Sequence, residues 1–291
     1  MATLVVSAVS LQRPRPWQHG LEALARLDPR WFQIAFLGSF LALGIHLDVV
    51  PWWQGPVTLV AALVTQALLF RLLEIPSAGH LSPAITALGL TLLLRSDVVF
   101  VPALAAAAAI AGKVFLRVRG KHLFNPANLG LVLAMALTSH AWTSPSQWRE
   151  ESVLVLWFVL LGLGVTLRSF RSDVSLAFLA SWFLLKLGRV LYLGQRFDVL
   201  PHQLLTGGLI VFAFFMISDP KTTPDQRGGR VLFAASVAAL AFVLQHGFWI
   251  QSALFWALFA LSPLTPLFDR LLPAPRFQWT PKEPTCTPVP S

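Results

Sequence analysis

The chain is a succession of apolar runs separated by short polar segments, and this pattern limits what it can fold into. A helix needs roughly 20 apolar residues to cross the hydrocarbon core of a bilayer. Since lipid offers no partner to exposed backbone groups, we predict an all-α polytopic membrane protein; its 56% hydrophobic and 12% charged residues agree. Ten candidate spans begin near Trp31, Gly55, Leu81, Val98, Leu123, Ser152, Val174, Gln203, Val231 and Phe248.

Several candidate spans are shorter than a straight crossing requires. The third, SPAITALGLTLLL, lies between Pro76 and Arg95 and is typical of a half-helix or a partly re-entrant segment. Five spans per half mean that the two halves enter the membrane from opposite sides, which predicts two inverted repeats with short or broken helices. The predicted organisation is a cytosolic tail at 1–30, a membrane domain at 31–270 with repeats at 31–140 and 152–270, and a Pro-rich cytosolic tail at 271–291.

Basic residues divide unequally between the two sets of loops. With the N-terminus inside, the loops on that side contain nearly all Lys and Arg residues outside the spans, and the opposite side keeps only Arg95, Arg149 and Arg196. The positive-inside rule therefore predicts that both termini are cytoplasmic. The formal charge of +9 indicates topology rather than nucleic-acid binding, so we expect membrane lipid and no nucleic acid as partners.

Two polar, proline-containing segments interrupt the apolar pattern, one in each half: FNPAN at 124–128 and SDPKTTP at 218–224. Broken helices at corresponding places in two repeats usually indicate a midplane or pore-lining site. An ordinary tight loop that closes at Gly228 and Gly229 is the structural alternative for the second segment. The candidate binding residues are Lys121, His122, Asn125, Pro126, Asn128, Ser218, Asp219, Lys221, Thr222 and Thr223.

The first segment has the composition of a helix start. Pro126 suits the first turn, where its missing N–H is not needed, and Asn125 before it can cap the free N–H groups. With Lys121 and His122 adjacent, such a helix end favours a phosphate or a carboxylate. A capped helix start whose basic residues only follow the positive-inside rule explains the same residues without a ligand.

Lys186 and Arg189, one helical turn apart in SWFLLKLGRV, are the most costly polar pair within an apolar run. No acidic residue is nearby in sequence, so they should face other helices or an anionic group, or extend to the interface from the helix end. The single Cys286 excludes an intramolecular disulfide and an iron–sulfur cluster held by this chain alone. No catalytic motif and no metal-ligand set is recognisable, and no catalytic or metal residue is predicted.

Two longer segments, GKHLFNPANLGLVLA and GGLIVFAFFMISDPKTTPDQRGGR, carry a family resemblance. They resemble the signature segments of the D subunit of Rnf electron-transport complexes and of the related B subunit of the sodium-pumping NADH:quinone oxidoreductase, in the same order. The similarity extends from about Val57 to about Asp269. The chain also resembles short, divergent members of this family that are associated with enediyne-type gene clusters.

The resemblance implies a ten-helix inverted-repeat subunit of a bacterial inner membrane, an architecture shared with urea transporters, that carries flavin and passes electrons within a larger complex. Familiar members attach flavin mononucleotide (FMN) to the Thr of an SGAT-type motif after the FNPA helix. Here the segment after the fifth span is TSHAWTSPSQWREES, without that motif. Thr86 in SPAITAL lies in the first-half segment that bears no flavin in the family, so it is not assigned as an attachment site.

Three functions follow from these residues. The first is a flavin-dependent electron carrier, a candidate oxidoreductase subunit that holds FMN or riboflavin non-covalently, works with other redox or membrane subunits and is coupled to ion transport. Lys113, Lys121 or Lys221 would then offset phosphate or reduced-flavin charge. The second is a urea-transporter-like channel or transporter for a small polar solute. The third is a structural assembly subunit.

Overall fold

A computed structural model describes residues 28–76, 79–143 and 171–276 of the chain, and the described part is predominantly helical. The helices are α1 (Pro29–His46), α2 (Gln54–Leu72), α3 (Leu81–Leu93), α4 (Phe100–Phe115), α5 (Pro126–Leu137), α6 (Ser172–Tyr192), α7 (Val199–Leu204), α8 (Gly207–Val211), α9 (Arg227–Gly247), α10 (Ala253–Leu261) and α11 (Thr265–Leu271). A π-helical turn (Phe212–Met216) continues α8, and a 3-10 turn (Ser262–Leu264) joins α10 to α11.

The helices differ widely in length. Within the described residues, α2, α6 and α9 have 19, 21 and 21 residues and are long and apolar enough to cross a membrane. By contrast, α3 has 13 residues and α5 has 12. At about 1.5 Å of rise per residue, such helices cover only part of a hydrocarbon core of about 30 Å. The prediction of short helices is thus confirmed, whereas the predicted span near Ser152 lies outside the described residues.

The predominantly helical fold agrees with the all-α prediction, and two small antiparallel strand pairs, which were not predicted, lie between the helices. β1 (Leu94–Ser96) pairs with β4 (Ala141–Thr143), and β2 (Arg117–Val118) pairs with β3 (Lys121–His122). Short helices expose backbone groups that lipid cannot satisfy, so non-helical backbone must be hydrogen-bonded inside the protein. These ladders bond the chain where α3, α4 and α5 end or begin.

Buried polar side chains complete this bonding at the end of α3. Gln54 Nε2 donates to the Leu94 carbonyl over 2.7 Å, and Arg95 donates from one guanidinium nitrogen to the carbonyls of Thr91 and Leu94, at 2.9 and 2.8 Å. Arg95 is 8% exposed, although its sequence position predicts a loop residue. Its role is therefore to satisfy carbonyl groups at the end of a short helix.

The strand pair β2–β3 is a two-residue hairpin. Its turn residues, Arg119 and Gly120, have φ values of 52° and 81°. Two positive φ values match the right-handed twist of the flanking strands, and glycine adopts this conformation without steric cost. The hairpin returns the chain from the end of α4 to Asn125, directly before α5.

The eighth candidate span differs from the prediction at its start. The predicted start at Gln203 falls inside the short α7, and a new helix begins at Gly207. Thr206 caps this helix, since its Oγ accepts the Leu209 N–H over 3.2 Å. The helix then widens into the π-helical turn, where Ser175 Oγ donates to the Ala213 carbonyl over 2.6 Å. A π-helical turn often marks a functional site.

Helix packing follows the same order in both halves of the described chain. In the first half α2 packs on α4 and α4 packs on α5; in the second half α6 packs on α9 and α9 packs on α10. The two halves meet where α5 contacts α10. The α4–α5 contact is very close, because a Cβ atom at Gly130 would collide with the backbone oxygen of Ala105. The apolar core lies among these helices.

Candidate functional site

The two polar segments meet at one cavity, which we call the Asn125 cavity. Its volume is about 330 Å³, near the lower end of the range of about 300–1,000 Å³ for small-molecule sites. The N-terminal ends of α3 and α5, the last turn of α4, the hairpin and the loop after the π-helical turn form its walls. The predicted site residues that line it are His122, Asn125, Pro126, Ser218, Asp219 and Lys221.

Asn125 joins the two segments directly. Its Oδ1 accepts the Asn128 N–H over 3.1 Å, which confirms the predicted helix cap, and Pro126 occupies the first turn. Its Nδ2 donates across the molecule to the Met216 carbonyl at 3.3 Å and to Asp219 Oδ2 at 3.4 Å. The two broken helices are therefore linked by one buried amide, 5% exposed.

Asp219 is a half-buried carboxylate held mainly by neutral donors. The Lys221 backbone N–H donates to its Oδ1 over 3.0 Å, and Asn125 approaches its Oδ2. No ion pair among the described residues includes it. Burial raises the pKa of Asp219 above its ordinary value, although the positive charges of Lys221, Lys113 and Arg171 oppose this shift. The carboxylate can accept a proton or a hydrogen bond from a ligand.

Lys113 supplies a cation to the cavity from the last turn of α4. Its Nζ donates to Ser82 Oγ over 2.6 Å, and no carboxylate of the described residues pairs with it. Ser82 stands in the first turn of α3 and lines this end of the cavity. Sequence reasoning missed Ser82; the Ser-Pro pair at the start of a short helix is the signal that could have indicated it.

His122 contributes a neutral polar group. Burial, together with the charges of Arg117, Lys113 and Lys221, lowers its pKa to about 3. Its ring is therefore uncharged at neutral pH, and the buried Nδ1 has no hydrogen-bond partner among the described residues. An unpaired buried ring nitrogen at the cavity wall is available to a ligand.

The charges around the Asn125 cavity do not balance. Lys113, Arg117 and Lys221 line it together with Arg30, whereas Asp219 is the acidic residue among its lining side chains. Arg30 already pairs with Asp28. The remaining excess of positive charge favours a ligand with an anionic group.

Lys121, one of the candidate binding residues, does not line this cavity. Its Nζ lies 2.8 Å from Asp269 Oδ2 and 3.1 Å from Asp225 Oδ1, and it donates to the Thr223 carbonyl over 2.6 Å. These groups belong to a charge-balanced set, which we call the Lys121 cluster: Lys121, Arg171, Asp173, Asp225, Arg230 and Asp269. Its residues fasten the hairpin, the SDPKTTP loop, α6, α9 and α11 together.

Asn128, Thr222 and Thr223 also lie outside the lining of the Asn125 cavity. Asn128 is fully buried and donates to the Phe255 carbonyl of α10 over 3.1 Å. The hydroxyls of Thr222 and Thr223 both donate to the Asp219 carbonyl, over 3.2 and 3.1 Å. These three residues shape the segments that hold the site. No group of three potential metal ligands occurs among the described residues.

Comparison with known proteins supports the resemblance drawn from the sequence. The model of the NQR2, RnfD, RnfE family matches residues 145–278, which include the SDPKTTP segment and exclude FNPAN. The D subunit of the ion-translocating oxidoreductase complex of Stutzerimonas stutzeri is 34% identical over 93 residues, covering 30% of this chain and 26% of that protein.

Proteins of the same name from two other bacteria are also similar. That of Tolumonas auensis is 31% identical over 80 residues, covering 27% of this chain and 23% of that protein. That of Halorhodospira halophila is 33% identical over 67 residues, covering 23% and 19%. The chain thus matches about a quarter or less of the length of these relatives. The resemblance to this family is confirmed by the family model for residues 145–278 of this chain.

Proposed function

We propose that this chain, whose matched part is related to the NQR2, RnfD, RnfE family, is a membrane subunit of an electron-transport complex and holds flavin non-covalently in the Asn125 cavity. The observation that carries this proposal is the contact of Asn125 with Met216 and Asp219. It unites two distant broken helices around a cavity with excess positive charge. Other redox or membrane subunits are its expected partners, since the relatives are named as subunits of complexes.

The cavity residues fit the chemical character of a flavin. Phe70 and Phe215 provide aromatic surface, while Asn125, Asp219 and His122 provide hydrogen-bonding groups for the polar edge of a ring system. Lys113, Arg117 and Lys221 suit a phosphate or the negative charge of a reduced ring. When bound, flavin supplies one- and two-electron transfer, and the protein supplies position and electrostatics.

Non-covalent binding is the expected mode. The sequence after α5 contains no SGAT-type motif. Thr86 lines the cavity, but its hydroxyl donates to the Ser82 carbonyl within α3 over 3.1 Å, and it stays unassigned as an attachment residue. Asn125, Pro126, His122, Ser218, Asp219 and Lys221 are the proposed flavin-binding residues of the predicted set, with Lys113 and Ser82 added.

The proposed architecture is a pair of inverted repeats. The order of contacts α2–α4–α5 in the first half matches α6–α9–α10 in the second, and α5 and α10 meet between the halves. An odd number of spans per half would place these units in opposite orientations. Both termini are proposed to be cytoplasmic in a bacterial inner membrane, with coupling to ion transport as part of the same hypothesis.

The visible absorption spectrum of the detergent-purified protein, followed by acid precipitation, tests this function. Yellow chromophore released into the supernatant is expected. Chromophore retained in the pellet would contradict non-covalent binding, and a protein that stays colourless after incubation with FMN and riboflavin would contradict the flavin proposal. Asn125→Ala and Asp219→Ala should bind less flavin per folded molecule; full binding in both variants, with lower stability only, would overturn the site.

A path for a small polar solute is the second candidate function. It is favoured by cavities at both ends of α5, lined by Asn125 at one end and by Thr143 beyond the other. Buried Leu131 and Val132 lie between them. Reconstituted protein that conducts urea in liposomes and stays colourless would support this function over electron transfer.

A further inference from the structure

A second cavity, of about 360 Å³, lies at the opposite end of α5 from the Asn125 cavity. Thr143, beyond the end of α5, lines it, and α6, the end of α9 and the starts of α8 and α10 form other walls. We call it the Lys186 cavity. Its lining side chains that carry polar groups are Trp182, Lys186, His202, Gln203, Thr206, Gln245, His246 and Gln251, with Thr143.

Lys186 is the unusual residue of this cavity. It is 2% exposed and belongs to α6, one of the helices that can cross a membrane. Its Nζ donates to Gln245 Oε1 over 2.8 Å, lies 2.9 Å from His246 Nε2, and stands 4.6 Å from the centre of a Trp182 ring. None of these partners is an anion. A charge at this depth in a membrane protein normally marks a function and has a partner of opposite sign.

The described walls of the cavity do not supply that partner. No Asp or Glu is among the residues that line it, and no ion pair within the described residues includes Lys186. Because an ammonium group only donates, His246 Nε2 must act as an acceptor, which leaves the ring proton on Nδ1. Lys186 retains one N–H beyond the two that Gln245 and His246 accept.

Other donor groups at the cavity also have no hydrogen-bond partner within the described residues. Trp182 is 3% exposed, and its buried Nε1 has no hydrogen-bond partner among the described residues. Gln203, which is partly buried, lines the cavity as well, and no hydrogen bond of its side chain occurs in the described part of the chain. Indole N–H groups donate only, and a buried donor normally has an acceptor. The cavity therefore combines an uncompensated cation with unused donors.

We propose that the Lys186 cavity binds a small oxyanion, presented as a carboxylate or a phosphate group, with Lys186 as the charged ligand and Trp182 Nε1 as a neutral donor. Charge-assisted hydrogen bonds from ammonium and N–H donors are the interactions that such groups recognise. This site is separate from the Asn125 cavity and does not depend on flavin binding. A colourless protein that binds the oxyanion would leave this inference intact.

Titration of the full chain in detergent with sodium phosphate and with sodium acetate tests the site. Sodium chloride at equal ionic strength is the reference, and the unfolding temperature and tryptophan fluorescence are the readouts. We expect a saturable response to at least one oxyanion. Lys186→Met should weaken it by about tenfold or more, as the loss of one charge-assisted hydrogen bond predicts, and Lys186→Arg should keep it. The responses to acetate and to phosphate distinguish a carboxylate site from a phosphate site.

Arg189→Met is the matched control, because Arg189 lies one turn further along α6 and does not line the cavity. It should respond like the wild type. Lys186→Met removes a buried charge but also the donor to Gln245 Oε1 and His246 Nε2, so its unfolding temperature without oxyanion is measured first to establish that it folds. If it does not fold, Trp182→Phe serves instead and should bind several-fold more weakly. The proposal would be overturned if neither oxyanion gave a saturable response. It would also be overturned if Lys186→Met, or Trp182→Phe in its place, bound the oxyanion as tightly as the wild type. An equal loss of binding in Arg189→Met would overturn it as well.

Discussion

The Lys121 cluster and the Asn125 cavity are built from neighbouring residues of the same two segments, yet their charges are arranged differently. In the cluster, Lys121 and Arg171 share Asp225, and Arg230 pairs with Asp173. In the cavity, the Ser82 hydroxyl is the one hydrogen-bond partner of the Lys113 ammonium group among the residues that the structure describes. Balanced, buried charges hold elements together, whereas unbalanced charges around an open volume remain available to a ligand. This difference distinguishes residues with a structural role from residues that can bind a ligand.

The largest expected effect comes from breaking the balance of the cluster. Asp225→Asn leaves Lys121 and Arg171 without the carboxylate they share, whose side chain is 5% exposed. Removing one partner of a buried pair costs about 3–5 kcal/mol, so the free energy of unfolding should fall by about this amount. Thermal or denaturant unfolding in detergent measures it.

The control for this substitution is Asp198→Asn. Asp198 pairs with Arg196 at the surface, where the two side chains are 57% and 87% exposed. An exposed pair contributes at most about 1 kcal/mol, so little change is expected. Equal stability of the Asp225 and Asp198 variants would show that the cluster does not fasten these elements together.

Substitution of Asn125 should separate its two roles. Asn125→Ala removes the helix cap and the contact with Asp219, while Asn125→Ser keeps a capping hydroxyl and loses the long amide. Loss of an N-cap costs about 1 kcal/mol. We therefore expect a lower free energy of unfolding in Asn125→Ala but not in Asn125→Ser. Flavin retention should be reduced in both variants. Full flavin retention in the serine variant would contradict the role of the amide in the cavity.

The pH dependence of stability should identify the raised pKa of Asp219. A carboxyl group whose pKa is higher in the folded protein binds its proton more tightly there. The contribution of Asp219 to the free energy of unfolding is therefore fully present below the ordinary pKa of Asp. It is lost as the pH rises through the higher pKa that the group has in the folded protein. Asp219→Asn should remove this loss. The unfolding temperature of this variant, relative to that of the wild type, should therefore increase as the pH rises above about 4. Parallel pH profiles would contradict the assignment.

The smallest effect is expected from Lys221→Gln. The Lys221 side chain is exposed at the cavity and forms no ion pair within the described residues. Its removal should change the free energy of unfolding by less than about 0.5 kcal/mol. If its charge assists binding of an anionic group, flavin affinity should fall slightly and depend less on salt concentration. Unchanged affinity and unchanged salt dependence would exclude this contribution.

Local features of the fold and site were predictable because their causes are local. The apolar runs predicted the helices, and Asn125 with Pro126 predicted the start of α5. The strand pairs were not predicted, since two- and three-residue ladders depend on pairing between distant segments such as 94–96 and 141–143. The start of α8 was misplaced because α7 shares the apolar character of the helix that follows it.

The sequence by itself determined a membrane protein with short helices, two polar segments and a family resemblance, because apolar periodicity and helix capping act over a few residues. Only the tertiary structure decided that Asn125 contacts Asp219, that Lys121 belongs to a balanced cluster, and that Lys186 bonds to the neutral side chains of Gln245 and His246. These outcomes depend on which side chains meet across 59 to 148 residues of chain. The physical reason is that burial and charge pairing are properties of packed helices and not of neighbouring residues.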